Sequence, residues 1–197
     1  LIDISGKKAA AAKLFGLSPD KPTILIIGGS QGARSINQAI LHGLEALANA
    51  NVQIVWQTGV SFESEAKAAC EKFPALPSYV SAFIYEMDLA YAMADLVVSR
   101  AGALSVSEIC LAGKPSILVP FPNAAEDHQT ANATYLVNNH AALLVSDAQA
   151  PATLFSTVTK LALDTAQQQT FIKNLQPLAI SNAAEVVAAK ILQYLRA

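Results

Sequence analysis

Short runs of branched apolar residues alternate with longer segments of helical periodicity along most of this chain. The runs are continuous rather than alternately apolar and polar, as expected for parallel strands that helices cover on both faces. Strands are predicted at residues 23–28, 52–57, 79–84, 95–99, 116–120 and 142–145. Helices are predicted at residues 5–16, 33–48, 61–73, 88–93, 104–112, 128–138, 152–163, 166–175 and 182–195. This order implies βαβ units, and hence an α/β fold with a Rossmann-like, doubly wound parallel sheet.

A single domain, residues 1–197, fits the whole pattern. Residues 1–20 are expected to form an N-terminal helix and a loop, and residues 150–197 are expected to form C-terminal helices. Ser5 is a candidate cap for the first helix, and Gly16 is the residue expected to end it. With 53% hydrophobic and 14% charged residues, the chain can fill a sizeable core and is not expected to be disordered.

Charge and cysteine content narrow the classes of protein to consider. The net charge is −2 and the basic residues are scattered, so no nucleic-acid-binding face is predicted. The apolar runs are far too short to span a membrane. Cys70 and Cys110 lack metal-like spacing, which favours two buried thiols, and neither a metal nor a cofactor is predicted. Because the chain begins with Leu1 rather than Met, we expect it to be part of a longer protein.

Ligands of such folds bind at the carboxyl ends of the strands, which selects the turns after residues 28, 84, 99 and 120. The first turn, residues 28–33 (GGSQGA), can bring backbone N–H groups close to a phosphate at the start of a helix. Its spacing is neither GxGxxG nor a Walker loop. A tight turn without any ligand remains the alternative.

The third turn, residues 99–108 (SRAGALSVSE), opens another helix. Ser105 and Glu108 have the S-x-x-E spacing of a capping box, in which both side chains would simply close the helix start. The alternative is functional: Ser105 could donate to a phosphate, and Glu108 could accept from ribose hydroxyls. The residue pattern alone favours neither interpretation.

The remaining two turns differ in chemistry. The fourth, residues 120–133, is polar, with Asp127 expected at a helix start and with His128, Gln129 and Asn132 close together on the first turns of that helix. Amide side chains both donate and accept, which suits sugar hydroxyls, although a solvated loop would have the same composition. The second turn offers mainly backbone groups, which could pair with the edge of a base.

The segments GGSQGA, RAGALSVSE, AGKPSILVPFP and DHQTANA occur in this order. Together they resemble the C-terminal domain of the MurG family. These bacterial enzymes move N-acetylglucosamine (GlcNAc) from UDP onto lipid I and so make lipid II for peptidoglycan. The resemblance extends from about residue 20 to residue 145. It implies the donor-binding half of a GT-B glycosyltransferase, whose N-terminal acceptor domain is absent from this chain.

The resemblance implies a UDP-GlcNAc site that extends over all four turns. The first-turn loop would meet the diphosphate, chiefly through Ser30. The backbone of Ile84 would pair with uracil, and Arg100 is expected to be structural. The first-turn members of the implied site are Gly29, Ser30, Gln31 and Gly32.

The other two turns would hold the ribose and the sugar. Glu108 resembles the ribose-binding carboxylate of the family. His128 and Gln129 resemble the pair that contacts the GlcNAc hydroxyls, and Asn132 would support the site. Backbone N–H groups would line the sugar and the phosphates at Ala103, Leu104 and Ser105.

The same resemblance implies what this chain would not do alone. No catalytic residue is assigned within it, and an arginine that approaches the phosphates in the family would lie outside it. Lipid I would bind through the missing N-terminal domain. The complete protein would be a peripheral enzyme on the cytoplasmic face of the bacterial inner membrane. The chain by itself is therefore expected to bind donor without turnover.

Three alternatives are weighed against this hypothesis. The first is the donor-binding subunit of a two-chain, lipid-linked GlcNAc transferase. The second is a nicotinamide-dependent oxidoreductase, which we discount because it requires GxGxxG and an acidic residue at the end of the second strand. Here that strand ends in WQTG. The third is a scaffold or interaction module.

Overall fold

The structure is a computed structural model that describes residues 3–195. The outermost residues of the predicted segments 1–20 and 150–197 lie outside this part. Six strands form one sheet in which every neighbouring pair is parallel. The strands are β1 (Thr23–Ile27), β2 (Gln53–Gln57), β3 (Ser78–Ser81), β4 (Leu96–Ser99), β5 (Ser116–Leu118) and β6 (Leu143–Leu144). The predicted α/β fold with a parallel sheet is confirmed.

Each predicted helix has a counterpart in the structure. Two short 3₁₀ turns, Ala125–Asp127 and Gln176–Leu178, were not predicted. The α-helices are α1 (Lys8–Phe15), α2 (Arg34–Asn49), α3 (Glu63–Cys70), α4 (Met87–Met93), α5 (Ala103–Ala112), α6 (His128–Asn138), α7 (Ala150–Leu163), α8 (Thr165–Leu175) and α9 (Ala183–Leu195).

The strand order β3-β2-β1-β4-β5-β6 places the reversal of winding between β1 and β4. From β1 the chain winds outward through β2 and β3, then returns to the centre and winds the other way through β4, β5 and β6. In such sheets the ligand crevice lies at the carboxyl ends of the two central strands. The first turn follows β1 and the third turn follows β4, so both open into this crevice.

Alternate strand residues supply the two faces of the sheet with separate cores. Leu25 and Ile27 face a cluster that includes side chains of α1, α4, α5 and α6. Ile24 and Ile26 face the other cluster, with side chains of α2, α3, α7 and α8. Cys70 and Cys110 are both free and buried, as predicted, one in each core.

The first helix begins later than predicted. α1 starts at Lys8 with Lys7 at its N-cap, and no side chain caps it, so the assignment of Ser5 as the cap is wrong. The backbone N–H of Ser5 instead donates to Asp3 Oδ1 at 3.0 Å. Gly16 does end the helix, since its left-handed backbone at φ 66° lets its N–H bond back to the carbonyl of Ala12.

The third strand is shorter than predicted, and Ile84 lies beyond it. β3 ends at Ser81. The ladder with the β2 side continues for one more residue, because the N–H of Gly59 donates to the carbonyl of Ala82 at 3.0 Å. Beyond Ala82 the backbone ladder ends, and the next N–H that is bonded to β2, that of Ile84, donates to the side chain of Gln57. Ile84 therefore lies in the turn and is 2% exposed.

The last helix stands apart from both cores. Every residue of α9 is exposed, including Val187 and Ile191 on its apolar side. Across residues 3–195, no helix combines the length and the apolar character that crossing a bilayer requires.

Candidate functional site

The first turn is built by glycines packed against the end of β2. The N–H of Gly32 closes a tight turn by donating to the carbonyl of Gly29 at 3.0 Å. Gly32 has φ 77°, and a Cβ there would lie 2.0 Å from the carbonyl oxygen of Thr58. Only glycine fits this position. The resulting loop leaves Ser30 and Gln31 exposed at its tip.

Two helices start on either side of the crevice without a side-chain cap. Ala33 precedes α2 and Gly102 precedes α5, and neither helix start receives a side-chain hydrogen bond. The first backbone bonds within these helices come from Asn37 N–H to Ala33 and from Val106 N–H to Gly102. The N–H groups before them have no partner within the helix, and they carry the positive end of the helix dipole. This arrangement favours an anion between the two turns.

In the third turn the structure excludes the capping box. The helix begins at Ala103, as the site prediction required, and its N-cap residue is Gly102. Ser105 is already the third helical residue, so its side chain cannot act as the cap. Glu108 lies a turn further along and cannot reach back to the helix start. The S-x-x-E spacing of Ser105 and Glu108 therefore does not mark a helix start here.

Glu108 instead contacts a buried tyrosine on the preceding helix. The hydroxyl of Tyr91 donates to Glu108 Oε2 at 3.1 Å, and Tyr91 is completely buried in α4. Burial raises the pKa of the Glu108 carboxyl, and the hydrogen bond from Tyr91 partly opposes this shift. Burial also raises the pKa of Tyr91, so the phenol keeps its proton and acts as the donor.

The second turn is held by a buried amide from β2. Gln57 Oε1 accepts from the N–H of Ile84 at 2.9 Å. Gln57 Nε2 donates to the carbonyl of Gly29 at 2.9 Å. One side chain thus joins the first turn to the second. The N–H of Ile84 is thus already engaged by a side chain of the protein.

Two amide side chains of α6 hold the third and fourth turns together. Gln129 Oε1 accepts from the N–H groups of Ala101 and Phe121, at 3.2 and 3.0 Å. Asn132 Nδ2 donates to the carbonyl of Ala101 at 3.0 Å. The oxygen of Gln129 is therefore committed to the backbone, and among the described residues its amide nitrogen donates to no protein group.

His128 is the first residue of α6 and is exposed. Its Nδ1 lies 2.7 Å from the carbonyl of Ala125. A carbonyl can only accept, so Nδ1 carries the proton and Nε2 of the neutral ring is an acceptor. Asp127 is the N-cap residue, as predicted, but its carboxylate accepts from the hydroxyl of Thr130 rather than from the backbone. Both Glu126 and Asp127 have left-handed backbone, at φ 52°.

Arg100 has the structural role expected of it. Its guanidinium donates to the carbonyls of Val119 and Pro120 at 3.0 and 3.1 Å. It also pairs with the carboxylate of Asp147, with side-chain exposures of only 13% and 24%. Ser35, near the start of α2, donates to the same carboxylate and accepts from Arg100. Arg100 thereby links the third and fourth turns to the start of α2 and to the loop after β6.

A separate cavity of about 530 Å³ lies between α2 and α3, on one side of the first turn. Gln31 and Gly32 line it together with Arg34 and His42 of α2 and Glu65 of α3. None of the predicted residues of the other three turns reaches it. Within the described residues, no group of three or more His, Cys, Asp or Glu side chains could hold a metal ion.

Residues 23–189 match the family model described as the glycosyltransferase family 28 C-terminal domain. The match covers all six strands and the helices α2 to α8. The chain belongs to this family.

Curated proteins of two organisms are similar to this chain over nearly its whole length. A Parabacteroides distasonis protein is 45% identical over 95% of this chain and 51% of its own length. A Phocaeicola vulgatus protein is 46% identical over 92% of this chain and 48% of its own length. Both are named UDP-N-acetylglucosamine–N-acetylmuramyl-(pentapeptide) pyrophosphoryl-undecaprenol N-acetylglucosamine transferase. The chain spans about half the length of the curated relatives it matches.

Solved structures share the fold of this chain. The crystal structure of MurG from Acinetobacter baumannii superposes with a TM-score of 0.81 at 30% identity, covering 94% of this chain and 53% of that one. A UDP-GlcNAc 2-epimerase from Neisseria meningitidis gives a TM-score of 0.64 at 15% identity, covering 96% of this chain and 49% of that one. The second likeness shows the shared fold alone.

Three residues of this family 28 domain were missed by sequence reasoning. Gln57 had a visible signal, since it is a polar residue at the carboxyl end of a largely apolar strand. Tyr91 had a weaker one, because an aromatic residue on the core side of a short helix is usually read only as packing. Asp147 lies in the loop after β6 and had none, since its partner Arg100 is distant in sequence.

Proposed function

We propose that this chain is the donor-binding part of a glycosyltransferase that moves GlcNAc from UDP-GlcNAc to lipid I. The observation that carries this proposal is the meeting of the first and third turns at the reversal of the sheet, each opening a helix without a side-chain cap. Such a pair of helix starts suits a diphosphate. The names of the similar proteins supply the classes of donor and acceptor.

Each part of the donor has a matching group along this edge. The exposed Ser30 and the free N–H groups of α2 and α5 suit the diphosphate, with those of α5 at Ala103, Leu104 and Ser105. The carbonyl of Ile84 suits the uracil edge. Glu108 has one oxygen engaged by Tyr91 and offers the other to ribose hydroxyls.

The sugar would lie at the fourth turn. His128 Nε2 can accept from a hydroxyl, and the amide nitrogen of Gln129 can donate to one. Asn132 would support the sugar site without contacting the sugar, because it binds the backbone carbonyl of Ala101. Gly29, Gln31 and Gly32 shape the loop that surrounds the phosphates. The cavity between α2 and α3 is not the proposed nucleotide site, because only the first turn borders it.

The chemistry of transfer divides between this chain and the rest of the protein. When the acceptor hydroxyl attacks the anomeric carbon, negative charge develops on the leaving UDP. Helix starts aimed at that diphosphate stabilise the charge. A base for the hydroxyl and a site for lipid I are proposed to lie in the other half of the full-length enzyme. We place that enzyme peripherally at the cytoplasmic face of the inner membrane, where an undecaprenol-linked acceptor resides.

The structure also bears on the oxidoreductase alternative. Dinucleotide-binding folds have an acidic residue at the end of the second strand, which holds the ribose of NAD. In this chain β2 ends at Gln57, whose amide joins two turns and leaves no carboxylate there. A uridine sugar therefore fits this edge better than a nicotinamide dinucleotide does.

Calorimetric titration of the chain with UDP-GlcNAc and with NADH tests the proposal. We expect saturable binding of UDP-GlcNAc and negligible binding of NADH. Glu108→Ala should weaken UDP binding by about ten- to a hundredfold, the worth of a hydrogen bond to a charged group. Glu45→Ala, at an exposed position on α2, is the control and should bind as the wild type does. Equal affinity for both nucleotides would refute the assignment.

Turnover gives a second test. Positioning of the acceptor alone can contribute about 7–11 kcal/mol to catalysis, and this chain is proposed to lack that contribution. We therefore expect no transfer to lipid I or to a soluble analogue by the chain alone. Adding the missing half of a similar full-length transferase should restore activity. Transfer by the purified chain would contradict the division of roles and would make His128 the first residue to mutate.

A further inference from the structure

Tyr91 and Glu108 form a pair that joins two helices beneath the proposed ribose site. Tyr91 belongs to α4, which follows the second turn, and Glu108 belongs to α5, which follows the third turn. Their side chains meet through the hydrogen bond from the Tyr91 hydroxyl to Glu108 Oε2, 3.1 Å long. We infer that Tyr91 is a positioning residue for nucleotide binding, which orients the Glu108 carboxylate towards the ribose hydroxyls. This inference rests on the proposed function.

The geometry gives Tyr91 a task beyond packing. Its ring is completely buried in the core cluster of α1, α4, α5 and α6, so packing alone would be served by phenylalanine. The hydroxyl is a buried donor that needs a partner, and Glu108 provides it. Within the described residues, this is the side-chain hydrogen bond that Glu108 receives.

The consequence for Glu108 is a fixed orientation. A glutamate side chain has three rotatable bonds, and a half-exposed carboxylate without a partner samples many rotamers. A donor behind one oxygen selects the rotamers in which the other oxygen points away from the core. Ligand binding then loses less side-chain freedom, which is how pre-organisation increases affinity. Tyr91 would thus act on the nucleotide without touching it.

A purely structural role predicts a different outcome. If Tyr91 only fastens α4 to α5, removing its hydroxyl lowers the melting temperature and affects all nucleotides alike. If Tyr91 orients Glu108, its removal weakens only ligands whose ribose bears hydroxyls. The ratio of affinities for UDP and for 2′,3′-dideoxy-UDP separates the two roles, because the two ligands share base and diphosphate.

The experiment measures both affinities by calorimetry for the wild type, Tyr91→Phe, Glu108→Gln and the double variant. We expect the wild type to prefer UDP by about tenfold or more, the worth of a hydrogen bond to a charged group. Tyr91→Phe should reduce this preference by about threefold or more, and less than twofold in the Glu108→Gln background, because coupled residues are not additive. Tyr79→Phe is the matched control, since its ring packs on Phe15 and the hydroxyl that Glu108 accepts from is that of Tyr91.

Each contrary result has a distinct meaning. An unchanged ratio in Tyr91→Phe overturns the positioning role and leaves the donor site standing. A wild type that binds both ligands equally removes the ribose role of Glu108, and that of Tyr91 with it. A wild type that binds neither ligand overturns the proposed function as well.

A second measurement needs no variant and covers the case in which Tyr91→Phe does not fold. The Tyr91 hydroxyl proton is buried and hydrogen-bonded, so slow exchange should make it visible by NMR. Its resonance should move more on addition of UDP than on addition of 2′,3′-dideoxy-UDP. Equal shifts with the two ligands would overturn the inference.

Discussion

The amino ends of the parallel strands lie at one edge of the sheet, here the amino edge, and their carboxyl ends lie at the opposite, carboxyl edge. Glutamine side chains have different roles at the two edges. At the amino edge, Gln53 forms hydrogen bonds to the polar groups of one loop. Its partners are the backbone of Ser18 and Lys21 and the hydroxyl of Thr23. At the carboxyl edge, Gln57 on the same strand joins two separate turns, at Gly29 and Ile84. The amino-edge amide completes a loop, and the carboxyl-edge amide connects two parts of a site.

The helix starts show the same contrast. α8 begins at the amino edge, where the carboxylate of Asp164 caps it by accepting from the N–H of Gln167 at 2.9 Å. The helices that begin at the carboxyl edge, from α2 to α7, have no side-chain cap. The first N–H groups of α8 thus have a side-chain acceptor, whereas those of α2 to α7 have none. This difference supports the proposed donor site at the carboxyl edge.

The largest effect is expected from the charged centre of the carboxyl edge. Arg100→Met removes the cation beside Asp147 and frees two backbone carbonyls. Loss of one partner of a buried ion pair should lower the free energy of unfolding by about 3 kcal/mol, measured by urea denaturation. Lys67→Met breaks an exposed pair with Glu63 and should change it by less than about 0.5 kcal/mol. Equal losses in the two variants would show that the Arg100 network does not fix the turns.

The two glutamines of β2 offer the most direct comparison of the edges. Gln57→Leu and Gln53→Leu each remove a buried amide and leave its hydrogen-bond partners unsatisfied, and each should cost about 2 kcal/mol of unfolding free energy. Only Gln57→Leu should also weaken UDP binding, since only Gln57 holds the first and second turns. Denaturation and calorimetry on both variants check this. A similar loss of affinity in Gln53→Leu would abolish the distinction between the edges.

A smaller effect is expected from a second matched pair of amides. Gln129 accepts from two backbone N–H groups at the carboxyl edge, and Gln168 donates to the carbonyls of Leu161 and Ala162 at the amino edge. Both side chains are partly exposed, so water can replace some of what is lost. Each alanine substitution should cost about 1 kcal/mol. Gln129→Ala alone should reduce UDP-GlcNAc affinity in calorimetry, and an unaffected affinity would remove Gln129 from the site.

The smallest effect is a pH dependence at the third turn. Burial raises the pKa of Glu108 in the folded chain, so the unfolded carboxyl ionises first as the pH rises. The unfolded state then binds fewer protons than the native state, and stability falls between the ordinary glutamate pKa and the raised one. Glu108→Gln should lose this slope in urea denaturation over a pH series, whereas Glu45→Gln should keep it. A stability rising with pH through that window, and lost in Glu108→Gln, would reverse the sign.

The sequence predicted the sheet well because its signals are local and strong. Continuous apolar runs such as residues 23–28 identify buried parallel strands, and glycines such as Gly16 mark helix ends. Helix starts were harder to predict. The spacing of Ser105 and Glu108 fits a capping box equally well when both residues lie inside the helix. Only the extended backbone of Gly102 decides where α5 begins.

The connections between turns could not be predicted at all. Gln57 meets Ile84 because β2 and β3 are neighbours, and Arg100 meets Asp147 because β4, β5 and β6 bring distant loops to one edge. Such pairs depend on side-chain direction and on strand order together. Neither quantity can be read from the spacing of residues along one segment. The residues expected to contact ligand were therefore easier to nominate than the residues that hold them.

The pairing of β1 with β4 also has a consequence for how the chain reaches this structure. β1 pairs with β2 after a single intervening helix, whereas its pairing with β4 joins residue 24 to residue 96, which is far more distant along the chain. Longer loops close at a greater entropic cost, so the seam between the two central strands should form late, and β1 should keep an open edge while the chain is being synthesised. A diphosphate that bridges the first and third turns would stabilise this late-forming pairing of β1 with β4. Bound nucleotide should therefore slow unfolding far more than it speeds folding, and the chain would be most resistant to proteolysis when its donor is abundant.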